Sequence, residues 1–128
     1  MLDEKIKDLA TGKNFAAVTT LLPDGTPMTQ PLWVDADDDH LLLNTEVHRQ
    51  KFLNVSRDPR VTVTIWDTAN PYSYVEVRGE VAQTVTGPEA RAHIDQLAQK
   101  YMGQDYPGQV ESERVILKVA PTKRQFVR

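Results

Sequence analysis

The chain has no cysteine, and that absence removes disulfide frameworks, thiolate zinc or iron–sulfur sites and cysteine nucleophiles together. A reducing cytoplasm is the expected compartment. Positive charge is not in excess either: 15 Lys and Arg stand against 18 Asp and Glu, a net charge of -3. The molecule as a whole therefore does not attract a polyanion, nucleic acid is not expected as a partner, and any phosphate must be held by a local cluster of cations. Long hydrophobic runs are missing, and the opening MLDEKIKDLATGK lacks the apolar stretch and small-residue cleavage site of a signal peptide. Neither export nor a membrane partner is expected. The letters also contain no G-x-x-x-x-G-K-[ST], no G-x-G-x-x-G and no G-x-S-x-G, which removes nucleotide-loop and esterase readings.

What is present is ordinary globular composition, 40% hydrophobic and 26% charged over 128 residues, the size of one domain spanning 1–128. Leu2, Ile6 and Leu9 share a helical face, with Asp3 as N-cap and Gly12 beyond the last turn. FAAVTTLL at 15–22 reads as a strand running into a Pro23-Asp24-Gly25 turn. Its return strand, about 26–35, carries Pro31 and must be an edge or bulged there. The acidic turn Asp35 to Asp39 precedes a strand at 40–45. A helix from about Val47 to Ser56, with Phe52 and Leu53 on its packing side, stops at Asp58-Pro59. VTVTIWD at 61–67 alternates as a half-buried strand should. A long strand follows at 73–85, bent at Gly79, and Thr86 and Glu89 then form a capping box for a helix with Ala90, Ile94, Leu97, Ala98 and Tyr101 on one face. A loop at 104–111, a strand at 114–121 and a short basic tail at 122–128 complete the chain. About six strands and three peripheral helices favour a small antiparallel barrel over a parallel α/β sheet.

Asp35, Asp37, Asp39 and Glu46 have the first, third, fifth and twelfth positions of a calcium loop, but His40 stands where the sharp turn needs glycine and both flanks read as strands. The acidic run is taken as a solvated turn. His40, His48 and His93 do not recur at i, i+4, and no metal site is expected. The informative stretch is Asn44-Thr45-Glu46-Val47-His48-Arg49-Gln50-Lys51. Here a strand ends, a hydroxyl and free backbone amides appear at a helix start, and Arg49 and Lys51 follow within a turn. That is a plausible phosphate cradle, because the helix terminus supplies donors, Arg a bidentate fork and Lys a point charge. An ordinary solvated helix face would carry the same residues.

The stretches FAAVTTLLPDGTPMTQPLW, HRQKFLNVSRDPRVTVTIWD and YSYVEVRGEV occur in that order, and Arg49, Lys51, Asn54 and Val55 lead into Asp58-Pro59-Arg60-Val61. On these residues the chain resembles the split β-barrel flavin and deazaflavin proteins related to pyridoxamine 5′-phosphate oxidase, especially the small coenzyme F420-dependent oxidoreductases. The resemblance implies a mainly β, antiparallel FMN-binding split β-barrel with peripheral helices. It implies that Arg49 and Lys51 hold the cofactor phosphate, with Asn44, Thr45 and neighbouring backbone contributing, and that Gln30, Pro31 and Leu32 lie beside the tricyclic ring. Tyr72 and Tyr74 would approach from the second subunit of a homodimer with cofactor at its interface. The chain lacks the C-terminal extension that carries substrate-binding arginines in pyridoxamine phosphate oxidases, so oxidation of vitamin B6 is not expected. The implied activity is hydride transfer from reduced F420 to an unsaturated small molecule. FMN in place of F420, or a non-catalytic flavin or deazaflavin carrier, are the alternatives.

Overall fold

A computed structural model describes the backbone of residues 1–127 and the side chains of residues 1–122. Helix α1 (Glu4–Thr11) starts as its sequence requires: the Asp3 carboxylate accepts from the amides of Lys5, at 2.9 Å, and Ile6, at 3.4 Å. Ile6, Leu9 and Ala10 are buried beneath it. Strands β1 (Phe15–Leu21) and β2 (Pro27–Trp33) form a hairpin closed at Gly25, whose φ of 87° glycine tolerates. A two-residue β3 (Asp35–Ala36) pairs with β4 (Leu41–Glu46). Then come α2 (Gln50–Arg57), β5 (Arg60–Trp66), β6 (Tyr74–Val85), α3 (Pro88–Met102) and β7 (Arg114–Val127).

All pairings are antiparallel, in the order β2-β1-β5-β6-β7-β4-β3. The end strands β2 and β3 are separated in the chain only by Val34. One residue spans less than ~4 Å, so the sheet must curl until its two ends meet. This is the split barrel, and Pro31 is accommodated because β2 is an end strand whose outer edge needs no ladder donor. Inside lie Ala16, Val18, Val61, Val63, Ile65, Val75, Val77, Leu41, Leu43, Val115, Leu117 and Val119, capped by α1 and by Val55 of α2.

Four local expectations are corrected. Helix α2 begins at Gln50 rather than Val47, because residues 47–49 form a turn in which the Arg49 amide donates to the Glu46 carbonyl. That shift turns Leu53 outward, 48% exposed, and puts Asn54 and Val55 inside. Asn54 donates to Thr20 Oγ1 at 3.0 Å and accepts from Gln50 at 2.8 Å, so it locks α2 to β1. The capping box of α3 is not made: its N-cap is Gly87 at φ 80°, with no side-chain cap bond, and Thr86 falls outside the helix. The basic tail is strand. β7 continues to Val127 by pairing with the first half of β6, across register shifts at Val77/Gly79 and Val81/Gln83 that bend both strands; Arg128 lies outside the described residues.

Gly79 marks that bend for a steric reason, since a Cβ there would come within 2.4 Å of the Ala120 carbonyl oxygen. Backbone cannot yield as a side-chain tip can. Gly79→Ala is expected to cost about 1–3 kcal/mol of stability, as overpacking does. Urea unfolding checks this, and an unchanged midpoint would contradict the close approach.

Candidate functional site: an aromatic cleft rimmed by cations

Helix α3 lies across the outer face of β4 and β7 and is pinned at both the joint and the sheet. Lys100 Nζ donates to the carbonyls of Ala10, at 3.0 Å, and Val34, at 2.5 Å. The Tyr101 hydroxyl accepts from the Val34 amide at 3.2 Å and donates to the Asn14 carbonyl. Burial pushes the Lys100 ammonium below its ordinary pKa and the Tyr101 phenol above its own. The Tyr101 ring stacks on Trp33, at 5.1 Å and 6°, and on Phe15, at 5.5 Å. Tyr106 of the following loop meets Trp33 edge-on at 6.3 Å. Between these rings opens a cleft of about 390 Å³ lined by Phe15, Pro31, Leu32, Trp33, Ile94, Tyr106 and Arg114.

Arg114 is the charged residue of that lining, and the strand pattern explains its position. Along β7 the inward residues are Val115, Leu117 and Val119, so Arg114 faces outward beneath α3, opposite Glu46 of β4. It is 9% exposed. Its Nε donates to Asn44 Oδ1 at 2.9 Å, its guanidinium lies 5.2 Å from the Tyr106 ring centroid, and Glu46 approaches at 3.8 Å. Glu46 in turn accepts from the amides of Glu111, at 2.7 Å, and Ser112, at 2.9 Å, so one buried carboxylate fixes both the loop end and Arg114. His48 reinforces the same loop, contacting Ser112 Oγ at 2.5 Å and Glu111 at 3.7 Å.

Outside the cleft lining, but within electrostatic reach of Arg114, stand Arg49, the N-cap residue of α2, and Lys51 in its first turn. Burial lowers the Lys51 pKa, and repulsion from Arg49 and Arg114 lowers it further. The Arg114 guanidinium is likewise depressed, first by burial and then by Arg91 and Arg49, against the opposing pull of Tyr106 and Glu46. Three cations thus converge. Among the described residues neither the Arg49 nor the Lys51 side chain has an ion-pair or hydrogen-bond partner, and the first-turn amides of Gln50 and Lys51 have no intrahelical acceptor. Unpaired like charges near an open aromatic cleft fit an anion carried on a flat apolar molecule.

The other expected residues separate by environment. Pro31 and Leu32 line the cleft, whereas Gln30 is exposed on the end strand opposite Val18. Thr45 is buried in β4 on the face of Leu41 and Leu43, not at the helix start. Asn44 is committed internally: its amide donates to the Ala90 carbonyl and to His93 Nδ1, both at 3.0 Å, and its oxygen accepts from Arg114. It has no donor left for a ligand, and it positions Arg114. Tyr72 is 88% exposed in the loop between β5 and β6, away from the cleft lining, and Tyr74 is half-buried opposite Trp66. The sequence reading missed Arg114, Tyr106 and Phe15. Arg114 heads a hydrophobic strand and reads as a flanking charge, and only pairing with Glu46 makes it a cleft residue.

A curled antiparallel sheet with a helix across one face and a cation-rimmed cleft beside its end strand defines the split β-barrel class. The family model of pyridoxamine 5′-phosphate oxidase matches residues 2–128, and the chain belongs to that family. Among solved structures, one named F420 reductase is 33% identical over 94% of this chain and 96% of its own, with a TM-score of 0.83. A conserved hypothetical protein of Mycobacterium tuberculosis is 25% identical over 99% of this chain and 85% of its own, at 0.76. A haem storage protein of Vibrio cholerae, 12% identical over 98% and 94%, at 0.66, shares the fold alone. A search of curated proteins finds no match.

The Glu46 clamp carries a pH signature. Burial alone would raise its carboxyl, but the Ser112 and Glu111 amides and Arg114 outweigh it and hold the pKa below the ordinary 4.5. A depressed acid contributes stability that is present above the unfolded value and lost as pH falls through the folded one. Stability should therefore drop as pH falls from 4.5 through the lowered value. Glu46→Gln should flatten that limb while costing about 1–3 kcal/mol near neutrality, where a buried partner loses its charge-assisted bonds. Urea unfolding at a series of pH values reads both, and parallel acid limbs would refute the assignment.

Proposed function

We propose that the chain is an F420-dependent oxidoreductase that transfers hydride from reduced deazaflavin to an unsaturated small molecule, working as a homodimer. The observation that carries this reading is the aromatic cleft with Arg114 in its lining, and within electrostatic reach of Arg114 the side chains of Arg49 and Lys51, both unpaired among the described residues. Kinship with a protein named F420 reductase supports the choice of cofactor. Bound there, reduced F420 would supply the hydride.

The chain's own part is binding, orientation and exclusion of water. Arg49 and Lys51 hold phosphoryl oxygens, the first as a planar fork and the second as a point charge. A bound anion would offset both the burial and, to a lesser degree, the repulsion from Arg49 and Arg114 that disfavour the Lys51 charge. Pro31 and Leu32 form one wall for a planar ring, and Gln30 with the unpaired outer edge of β2 offers polar groups to the ring's edge. Phe15, Trp33 and Tyr106 would pack against a bound ring, and water they displace from it strengthens the electrostatic contacts of the bound state. Tyr72 is an exposed aromatic on one protomer that a partner subunit's cleft would cover.

Titration with F420 and with FMN, followed by quenching of Trp33, tests the cofactor. F420 is expected to bind the more tightly, and each of Arg49→Ala and Lys51→Ala should weaken it by about 1.5–3 kcal/mol. Binding that is unaffected by both substitutions would refute the cradle, and preference for FMN would reassign the cofactor. Tight F420 binding without oxidation of the reduced form by enones or quinones would make the protein a carrier. Light scattering on the eluted protein should give twice the chain mass, and a stable monomer would remove Tyr72 from the site.

A further inference from the structure

Arg114 has one hydrogen bond within the framework and N–H groups left over. Its guanidinium is a fork of donors and no acceptor, and only Nε–H is spent, on Asn44 Oδ1 at 2.9 Å. Among the described residues neither Nη nitrogen has a hydrogen bond. Glu46 Oε2 lies 3.8 Å from Nη1, beyond bonding reach, and Glu46 Oε1 is taken by the amides of Glu111 and Ser112. The residue is 9% exposed, so a buried charged side chain keeps donors unmet. Among the described residues, His93 Nε2 is the one buried side-chain nitrogen or oxygen that is both sealed from solvent and without a hydrogen bond. The Arg114 Nη atoms, equally unbonded, are therefore not sealed, and they open onto the cleft that Arg114 lines.

Donors of a charged group left unmet at such burial are costly until an acceptor reaches them. A carboxylate matches the need, because its coplanar oxygens fit the fork of the two Nη groups as a rounder anion does not. Charge favours it as well: Glu46 attracts the guanidinium, but Arg91 and Arg49 repel it. Shape then selects what carries the carboxylate. The Tyr106 ring lies 5.2 Å from the guanidinium, Trp33 meets Tyr106 edge-on at 6.3 Å, and Ile94 of α3 belongs to the same lining. Tyr106 is itself held, since its amide donates to Asp95 Oδ1 at 3.0 Å. Flat walls of this kind suit a flat ring. Pro31 and Leu32, which precede Trp33 in β2, remain for the cofactor ring.

We infer that the Arg114 end of the cleft is the substrate subsite, and that the molecule reduced is a flat conjugated carboxylate whose oxygens accept from the Arg114 Nη groups while its rings lie against Tyr106, Trp33 and Ile94. The reduction rests on the reductase reading of the previous section, whereas recognition of the carboxylate needs no cofactor.

The full chain without cofactor gives the first test. Calorimetric titration should show saturable binding of 2-naphthoate, about tenfold or more tighter than 2-naphthamide, which keeps the rings and loses the charge. Cyclohexanecarboxylate, which keeps the charge and loses the flat rings, should be weaker by a similar factor. Arg114→Lys retains a positive charge without the fork and is expected to weaken 2-naphthoate about tenfold or more. Should that variant fail to fold, the comparison of the three ligands on the unaltered chain still decides. F420 titrated into the chain saturated with 2-naphthoate should bind beside it, and displacement of the naphthoate would assign Arg114 to the cofactor and overturn the subsite. If F420 does not bind at all, the reductase reading falls, and saturable, charge-dependent naphthoate binding still upholds the carboxylate site. Absence of saturable 2-naphthoate binding, equal affinity for the amide or the aliphatic acid, or unchanged affinity in folded Arg114→Lys would each overturn the proposal whatever F420 does.

Discussion

The structure depends on one joint. Val34 connects the two end strands of the sheet, so the sheet can exist only as a curled, nearly closed surface. Its amide and carbonyl face no neighbouring strand. They are taken up instead by the Tyr101 hydroxyl and the Lys100 ammonium at the C-terminal end of α3. A buried, unpaired backbone group costs free energy comparable to a lost hydrogen bond, so closing the barrel and seating the helix become one event. With α3 held there, the aromatic cleft opens along one of its flanks.

Charge is distributed unevenly around that helix. Toward the cleft lie Arg114, Arg49 and Lys51, of which Arg114 is offset by Glu46. On the opposite flank lie Asp35, Asp37 and Glu89 with Lys118. A chain of slightly negative total charge thus holds a local cluster of each sign, which composition averages away. Asn44 sits between them, satisfied on all sides. Such a fully bonded buried amide specifies one arrangement, because any other leaves a polar group unpaired.

Membership of the family establishes an architecture rather than a reaction. Structural neighbours named for F420 reduction and for haem storage share the fold, and a shared fold does not fix a function. Here the lining is aromatic and aliphatic, with the Tyr106 phenol and a buried guanidinium as its polar groups.

Much was legible from local pattern. The Asp3 cap, the β1–β2 turn, the edge position of Pro31, the alternation of β5 and the apolar stripe of α3 are each set by contacts between near neighbours or by single-residue stereochemistry, and all recur in the structure. The Arg49 and Lys51 pair was visible because both lie in one turn. What failed depends on partners distant in the chain. The tail became strand because β6 is long enough to pair with both halves of β7, Leu53 turned outward because the turn after β4 delayed the helix, and Asn44 was claimed by α3 and β7. Local sequence determined the elements, the edge strand and the cationic turn, since those follow from spacing and backbone preference. Tertiary structure alone decided that Arg114 reaches the cleft and that Asn44 joins it to His93, because both facts require residues dozens of positions apart to meet beneath one helix.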